Sequence, residues 1–357
     1  MGRNLILLNM KYPYIIAEIG ANHNGDMEMA KTLIKSAKEC GADCVKFQLF
    51  GQFDLNTYDN LVELDTGAVK LENVPEWKSK ELGLNSIFEQ GKKFAVQQKE
   101  HIEFFNYARK IGIDYATSIF KKEDVDFCID QKVAFIKIAS CDALNLDLIE
   151  YVLSKDYPVM IAFGMSSLGE IEQVVKMIPA KTRDKVTLMH CVSLYPPKDS
   201  DVNLRFINTL QQAFGLPVGF SDHTLGTCVP LAAMTIGASV LEKHFTLDHS
   251  LPGWDHMVSA DPEEMKIICE QSKRIVEALG TGIKVVSQGE MEKRLKFRRG
   301  LVTKHAIEKG HELVYDDIVF KRPGTGIPAD RLCEVLGRHV NHDIEADKTL
   351  FWEDLVR

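Results

Sequence analysis

The sequence has no apolar run that approaches the roughly 20 residues a transmembrane helix needs. It also lacks a basic tail, and its net charge of −8 argues against nucleic acid or an anionic membrane surface as a partner. Its eight cysteines are scattered without a C-x-x-C pair, and most fall in apolar runs, so we expect reduced thiols and no disulfide framework. No signal-peptide cleavage site precedes the first apolar strand, and we therefore expect a cytoplasmic protein without a membrane partner.

Short β-rich segments alternate with helical patterns along most of the chain. The strand-like segments begin at Tyr14, Cys44, Asp114, Phe135, Val159, Val186, Pro217 and Val240. The helical stretch after the eighth segment begins at Pro262 and stops at Gly280, which are typical first and terminating residues of a helix. Eight βα units in series predict an α/β fold of the (β/α)8 TIM-barrel type rather than an open sheet. Residues 51–96 break the rhythm, and we interpret them as a lid or an interface element.

The last 60 residues follow a different pattern. The segment AIEKGHELVYDDI at 306–318 aligns with DIEADKTLFWEDL at 343–355. Such a repeat predicts a small, pseudo-symmetric β-rich module. We therefore divide the chain into a barrel domain (1–280), a linker (281–297) and a terminal domain (298–357).

Polar residues interrupt the predicted strands near their carboxyl ends. Parallel barrel strands are covered on both faces and should be nearly continuous apolar runs. The exceptions are Glu18, Lys46, Gln48, Lys137, Ser221, His223, Glu242 and His244. A lone buried Lys or His is more often a satisfied core residue, but several at one end of a barrel indicate an active site. Because the two lysines have no obvious acidic partners in the sequence, we expect an anionic ligand such as a phosphate or a carboxylate.

His223 and His244 end consecutive predicted strands. Neighbouring strands lie about 5 Å apart, so both imidazoles can reach one divalent cation. Without a third Asp, Glu or Cys at fixed spacing they would form a poor zinc site, but they suit a looser site completed by water and a substrate oxygen. The alternative is that the two histidines only hydrogen-bond a substrate.

Several motifs resemble those of a known enzyme family. They are AEIGANHNGD, VKFQ, FIKIAS, HCVSLYP, GFSDHT, LEKHFTLD and PGWDH. Together they resemble the sialic acid synthase family, and the terminal KRPGTGIP with its repeat resembles the antifreeze-like (SAF) domain of such synthases. The resemblance implies a transferase that condenses phosphoenolpyruvate with an N-acetylmannosamine-like sugar, with C–O cleavage and release of phosphate.

The resemblance also implies roles for individual positions. His223 and His244 match metal ligands, with manganese expected and magnesium or cobalt as alternatives. The positions that match phosphoenolpyruvate-binding residues are Lys46, Thr117, Lys137, Ser140, Ser193 and Ser221. Those that match residues around the sugar are Glu18, Gln48, Tyr195 and Asp255, and Glu18 is also a candidate for moving a proton. Arg322 matches an arginine that the terminal domain contributes to the partner subunit's site, which implies a domain-swapped homodimer.

Departures from the family pattern leave the acceptor sugar open. Ala162 and Ser193 stand where a serine and an asparagine are common, and Trp254 replaces a commoner proline. An acceptor of the legionaminate, pseudaminate or deaminoneuraminate (KDN) type is the alternative. A different reading is an aldolase that forms a Schiff base with pyruvate through Lys46 or Lys137.

Overall fold

The computed structural model describes residues 12–50 and 94–356. Within these ranges, eight parallel strands follow one another around a closed barrel, and the last pairs with the first. The strands are β1 Tyr14–Glu18, β2 Cys44–Gln48, β3 Asp114–Ile119, β4 Ile136–Ile138, β5 Val159–Ala162, β6 Val186–Cys191, β7 Val218–Asp222 and β8 Val240–His244. The predicted (β/α)8 barrel is confirmed.

Helices connect the strands on the outside of the barrel. They are α1 Met27–Cys40, α2 Gln98–Ile111, α3 Lys122–Gln131, α4 Leu146–Ser154, α5 Leu168–Met177, α6 Asp199–Val202, α7 Phe206–Phe214, α8 Cys228–Thr235 and α9 Pro262–Leu279. Local signals set their ends. Asp26 caps the first turn of α1 by accepting hydrogen bonds from two backbone N–H groups, and Gly41 ends the helix at a φ of 94°.

Side chains alternate between the two faces of each strand. The outward face packs against the helices in one large core that includes Val45 and Phe47. The inward face holds a smaller apolar cluster that includes Ile16, Cys44 and Met160. Each fully buried large apolar side chain contributes roughly 1.5–3 kcal/mol. The two apolar clusters fix the strands and so hold the inward polar residues in place at the carboxyl ends of the strands.

A second compact unit begins at Thr281. The segment predicted as a linker contains a helix, α10 Gln288–Phe297, none of whose side chains is buried. The unit continues with β9 Gly300–Thr303, β10 Ile318–Lys321 and α11 Leu332–Val335. Strands β9 and β10 pair antiparallel. Its own core contains ten buried apolar residues, among them Leu313 and Ile327.

The internal repeat of the terminal unit has the symmetry that the sequence predicted. Ile307 and Ile344, which occupy equivalent repeat positions, exchange backbone hydrogen bonds of 2.8 Å in both directions. Ile318 pairs with Thr303 in the first copy, and Leu355 pairs with Val340 in the second. The two copies therefore face each other across a pseudo-twofold axis.

Three other expectations concern the chain as a whole. The segment 51–96 that we interpreted as a lid lies outside the described residues, except for 94–96, where Phe94 is buried. Among the residues described, no helix is both long and apolar enough to span a membrane. All eight cysteines lie in the described ranges and are free thiols.

Candidate active site

The inward polar residues predicted from the sequence meet at the carboxyl end of the barrel. Register brings them together, because Glu18 lies opposite Lys46 on one side and His244 on the other. Ser221 in turn lies opposite Glu242. Each of these residues is at least 95% buried. Such a concentration of buried charge requires either mutual pairing or a ligand.

The two lysines are paired with two glutamates, contrary to the expectation that they lack acidic partners. Lys46 Nζ lies 2.6 Å from Glu18 Oε2 and 3.8 Å from Glu242 Oε2. Lys137 Nζ lies 3.0 Å from Glu242 Oε1. Glu242 therefore bridges both lysines, and the four side chains form one alternating charge network.

Neutral polar groups complete this network. Lys46 Nζ donates to Ser118 Oγ over 3.0 Å, and Ser221 Oγ donates to Glu242 Oε1 over 2.9 Å. Gln48 Nε2 donates to Glu18 Oε1 over 3.0 Å. Lys46 is thus held by three partners, and Lys137 is held by Glu242.

The two carboxyl groups of the network titrate in opposite directions. Burial raises the pKa of Glu18 to about 7, against the opposing attraction of Lys46 and with a further rise from Glu242. Burial acts in the same direction on Glu242, but the charges of Lys137 and Lys46 outweigh it and hold its pKa at about 2. The difference follows from the number of lysines in contact, and it leaves Glu18 able to gain or lose a proton near neutral pH.

Thr117 does not lie where the resemblance implied. Its register partners are Phe47 and Ile136, which belong to the core between the barrel and the helices, and its hydroxyl donates to the Ser118 carbonyl. The next residue, Ser118, takes the inward position between Gln48 and Lys137. A shift of one residue in a strand reverses the face, so Ser118 replaces Thr117 among the candidate site residues.

Ser140 and Ser193 meet at Gly164, beyond the end of β5. The Gly164 N–H donates to Ser140 Oγ over 3.0 Å. A Cβ atom at residue 164 would lie 2.1 Å from Ser193 Oγ and 2.8 Å from Ser140 Oγ. Only glycine fits there without displacing the two hydroxyls, so the backbone and both side chains form a small polar corner.

His223 and His244 lie beside each other, with ring centroids 5.5 Å apart. His223 Nδ1 lies 2.9 Å from the Val192 carbonyl oxygen, an arrangement that leaves Nε2 as the available nitrogen. Burial and the neighbouring charges of His223 and Lys46 lower the pKa of His244 well below its ordinary value, so this ring is neutral. For His223, burial is outweighed by a contact with the Cys191 thiol, and its pKa is raised.

Tyr195 and Asp255, which are both predicted to contact the sugar, lie beside the two histidines. The Tyr195 ring stacks on His223 at 4.1 Å and meets His244 edge-on at 5.9 Å. Asp255 Oδ2 lies 3.8 Å from His244 Nδ1. The neighbouring Trp254 packs edge-on against Phe94 at 5.0 Å.

The loop that carries Asp255 is held by the loop that follows β1. Asn22 Nδ2 donates to the Phe245 carbonyl and to Ser259 Oγ, both over 2.8 Å. Ser259 Oγ in turn donates to the Asp255 carbonyl over 2.6 Å. The AEIGANHNGD motif therefore supplies both Glu18 and the support for Asp255.

Arg322 lies in the terminal unit, where it is exposed. Its guanidinium lies 5.0 Å from the centroid of the Phe297 ring. Its implied role in a partner's site stays a prediction.

A separate group of possible metal ligands lies away from the predicted histidines. Within the described ranges, His249, Asp261 and Glu264 are the one set of three such side chains whose ligand atoms all lie within 4.8 Å. Asp261 and Glu264 already form the capping box of α9, each accepting a backbone N–H of the other. Helix capping with a neighbouring histidine explains this group.

Sequence reasoning missed Ser118 and gave no role to Glu242. Ser118 could have been found by counting alternate residues from Ala116 in the same strand. Glu242 was counted among the polar residues at the strand ends but was given no role, because its contacts with Lys46 and Lys137 depend on barrel closure.

Two bacterial proteins are among the solved structures that share this fold. A spore coat polysaccharide biosynthesis protein E of Chromobacterium violaceum superposes with a TM-score of 0.72 over 97% of this chain and all of that one, at 24% identity. A sialic acid synthetase of Leptospira borgpetersenii superposes with a TM-score of 0.66 at 31% identity, covering 79% of this chain and 90% of that chain.

Family models and named relatives go further than the fold. A NeuB family model matches residues 33–284, and a SAF domain model matches residues 298–356. An N,N'-diacetyllegionaminic acid synthase of Legionella pneumophila is 36% identical, over 96% of this chain and 94% of that protein. The human N-acetylneuraminate-9-phosphate synthase is 33% identical, over 96% of this chain and 92% of that protein. The chain belongs to the NeuB family, which confirms the family predicted from the motifs.

Proposed function

We propose that this protein is a transferase that condenses phosphoenolpyruvate with an N-acylated aldose to give a nonulosonic acid and inorganic phosphate. The observation that carries the proposal is the buried network of Glu18, Lys46, Glu242 and Lys137 beside His223 and His244. The network combines groups that bind a polyanion with groups that bind a sugar and a metal ion. The proposed reaction also agrees with the names of the relatives, which are synthases of nonulosonic acids.

Phosphoenolpyruvate binds through its phosphate and carboxylate groups. Lys46 and Lys137 each carry three donors and can serve the substrate and a glutamate together. The hydroxyls of Ser118, Ser140, Ser193 and Ser221 are the neutral groups that hydrogen-bond the substrate in this proposal. The lysines are held by their partners before substrate binds, which lowers the entropy cost of ordering them.

His223 and His244 fit a divalent metal ion. The Nδ1 atom of His244 is buried without a hydrogen-bond partner, and the Nε2 atom of His223 is free because its other nitrogen faces the Val192 carbonyl. Manganese and cobalt accept imidazole together with oxygen ligands from water and substrate, whereas magnesium prefers oxygen ligands alone. When bound there, such an ion supplies Lewis-acid polarisation of the open-chain sugar aldehyde.

The chain's own residues orient the reactants and move protons. The methylene carbon of phosphoenolpyruvate forms a bond to the aldehyde carbon, water adds to the phosphate-bearing carbon, and the C–O bond to phosphate breaks. Glu18, whose pKa lies at about 7, can hold or release a proton beside Lys46 during these steps. Gln48, Tyr195 and Asp255 bind the hydroxyl and acylamino groups of the acceptor.

The acceptor that we expect is a diacetamido sugar of the legionaminic type. Two relatives named N,N'-diacetyllegionaminic acid synthase are 36% and 35% identical to this chain, compared with 33% for the human 9-phosphate synthase. N-acetylmannosamine and its 6-phosphate are the comparison acceptors.

The acceptor is tested by phosphate release from phosphoenolpyruvate against these three sugars, with metal added and after chelation. We expect the diacetamido sugar to react fastest, with activity lost on chelation and restored by manganese. A reaction in oxygen-18 water should label the sugar acid and not the phosphate. Labelled phosphate, or full activity after thorough chelation, would contradict the mechanism.

A Schiff-base aldolase is disfavoured by the state of Lys46. Burial lowers its pKa, but the charges of Glu18 and Glu242 outweigh burial and raise it, and a protonated amine is not a nucleophile. Borohydride treatment with pyruvate should therefore trap no lysine adduct.

A homodimer that shares Arg322 between subunits accounts for the exposed apolar residues before it. Ile283 and Val285 are 75% and 72% exposed, and Leu295 and Phe297 are 58% and 55% exposed. Such a run usually marks an interface. Co-expression of Arg322→Ala and His223→Ala chains should restore activity at low sugar concentration, which neither variant has alone, and the absence of that gain would exclude a shared site. The free thiols support a cytoplasmic location for the dimer.

A further inference from the structure

Asp222 and Lys243 form a buried ion pair on the outer face of the barrel. Lys243 Nζ lies 2.7 Å from Asp222 Oδ2, and the two side chains are 1% and 0% exposed. They are register partners in β7 and β8 and lie on the faces opposite to Ser221 and Glu242. Their neighbours on that face include Phe220 and Leu241, which belong to the core against the helices. The pair is thus separate from the charge network inside the barrel.

Stability alone does not explain a pair in this place. Removing two charges from water is costly, and replacing a buried ion pair with apolar residues is often neutral or stabilising. The position of the pair suggests another reason. Asp222 directly precedes His223, and Lys243 directly precedes His244.

The pair holds the backbone on both sides of His223. Lys243 Nζ also donates to the Thr224 carbonyl over 2.6 Å. Asp222 Oδ1 accepts the Thr224 N–H over 2.9 Å. Residues 222 and 224 are therefore both tied to the side chain of Lys243, whose backbone continues directly into His244.

We propose that Asp222 and Lys243 are positioning residues that set the spacing of His223 and His244 for a divalent ion. The inference rests on the metal role in the proposed function. Groups that do not touch a metal but orient its ligands typically change its affinity by roughly 10- to 100-fold when removed. The Asp222–Lys243 pair, called the clamp below, can set this spacing from the outer face without narrowing the space that substrates need inside the barrel.

The test compares Mn²⁺ affinity, measured from the free-ion signal in electron paramagnetic resonance, in wild type and in Asp222→Asn/Lys243→Met. The double variant carries no charge at either position, and the Asn oxygen at position 222 can still accept the Thr224 N–H. The hydrogen bond that Lys243 donates to the Thr224 carbonyl is lost. We expect the affinity to fall at least about tenfold, with the fold retained by circular dichroism. Ile149→Val, a core change in α4, is the control for general loss of stability. His223→Ala is the control for loss of a ligand.

Each outcome decides between the two claims. An unchanged Mn²⁺ affinity in the double variant, with weak binding in His223→Ala, overturns the clamp and leaves the metal role standing. An equal loss in Ile149→Val shows a general effect of stability and also overturns the clamp. If wild type binds no Mn²⁺, or His223→Ala binds it as well as wild type does, the metal role fails and the clamp fails with it.

Discussion

Glu242→Gln should destabilise the protein, because Glu242 is the carboxylate that bridges both buried lysines. At an effective dielectric constant of about 20, Coulomb's law gives about 5.5 kcal/mol for the 3.0 Å contact with Lys137 and about 4.4 kcal/mol for the 3.8 Å contact with Lys46. Burial of the carboxylate offsets several kcal/mol of this attraction. The fall of its pKa from 4.5 to about 2 corresponds to a net effect of about 3 kcal/mol. We therefore expect the free energy of unfolding to fall by about 3 kcal/mol at pH 7.

The pH dependence of this loss has a definite sign. The folded-state pKa of Glu242 is depressed, so its contribution is present above the unfolded-state value and is lost as the pH falls from 4.5 to about 2. Urea unfolding at pH 7 measures the loss. Phosphoenolpyruvate should also raise the melting temperature of Glu242→Gln more than that of wild type, because the substrate can pair with the lysine that has lost its partner.

A matched control separates this effect from a general effect of the substitution. Glu172→Gln breaks a helix-surface pair with Lys176, whose atoms lie 2.8 Å apart and whose side chains are more than half exposed. Such a pair is worth at most about 0.5 kcal/mol. Equal losses in the two variants would refute the claim that Glu242 is the centre of the network.

The remaining predictions concern Glu18, Gly164 and Arg322. Because burial raises the pKa of Glu18 to about 7, the folded state holds this proton more tightly than the unfolded chain does, and stability should fall as the pH rises from 4.5 to 7. Measured by urea unfolding, the fall in the free energy of unfolding of wild type should reach up to about 3 kcal/mol, and it should be absent in Glu18→Gln. Parallel plots of stability against pH for the two proteins would contradict this. Gly164→Ala should raise the KM for phosphoenolpyruvate by displacing Ser140 and Ser193, whereas Gly169→Ala, where a Cβ meets nothing within 4 Å, should not. Arg322→Ala should raise the KM for the sugar and leave that for phosphoenolpyruvate unchanged, with Arg331→Ala as the control; an unchanged sugar KM would remove Arg322 from the site.

The strands, the helices and their order could be predicted because the residue patterns that mark them lie within short stretches of sequence. Each strand is a short run whose length and composition are visible in the sequence, and α9 begins at Pro262 and ends before Gly280, as its capping residues indicate. The terminal repeat was visible for the same reason, since equivalent residues such as Ile307 and Ile344 recur at a fixed spacing. Face assignment within a strand was less secure, and an error of one residue exchanged Thr117 for Ser118.

Which charges meet was decided by the tertiary structure. The sequence showed two lysines and two histidines at the ends of strands, and that was enough to indicate an anion site and a metal site. It could not show that Lys137 meets Glu242, because 105 residues separate them and only closure of the barrel brings β4 and β8 to the same interior. The ion pair behind the histidines has the same origin, since strand register sets Asp222 opposite Lys243. Periodicity along a chain records which face a residue takes, whereas register and closure determine which residue it meets.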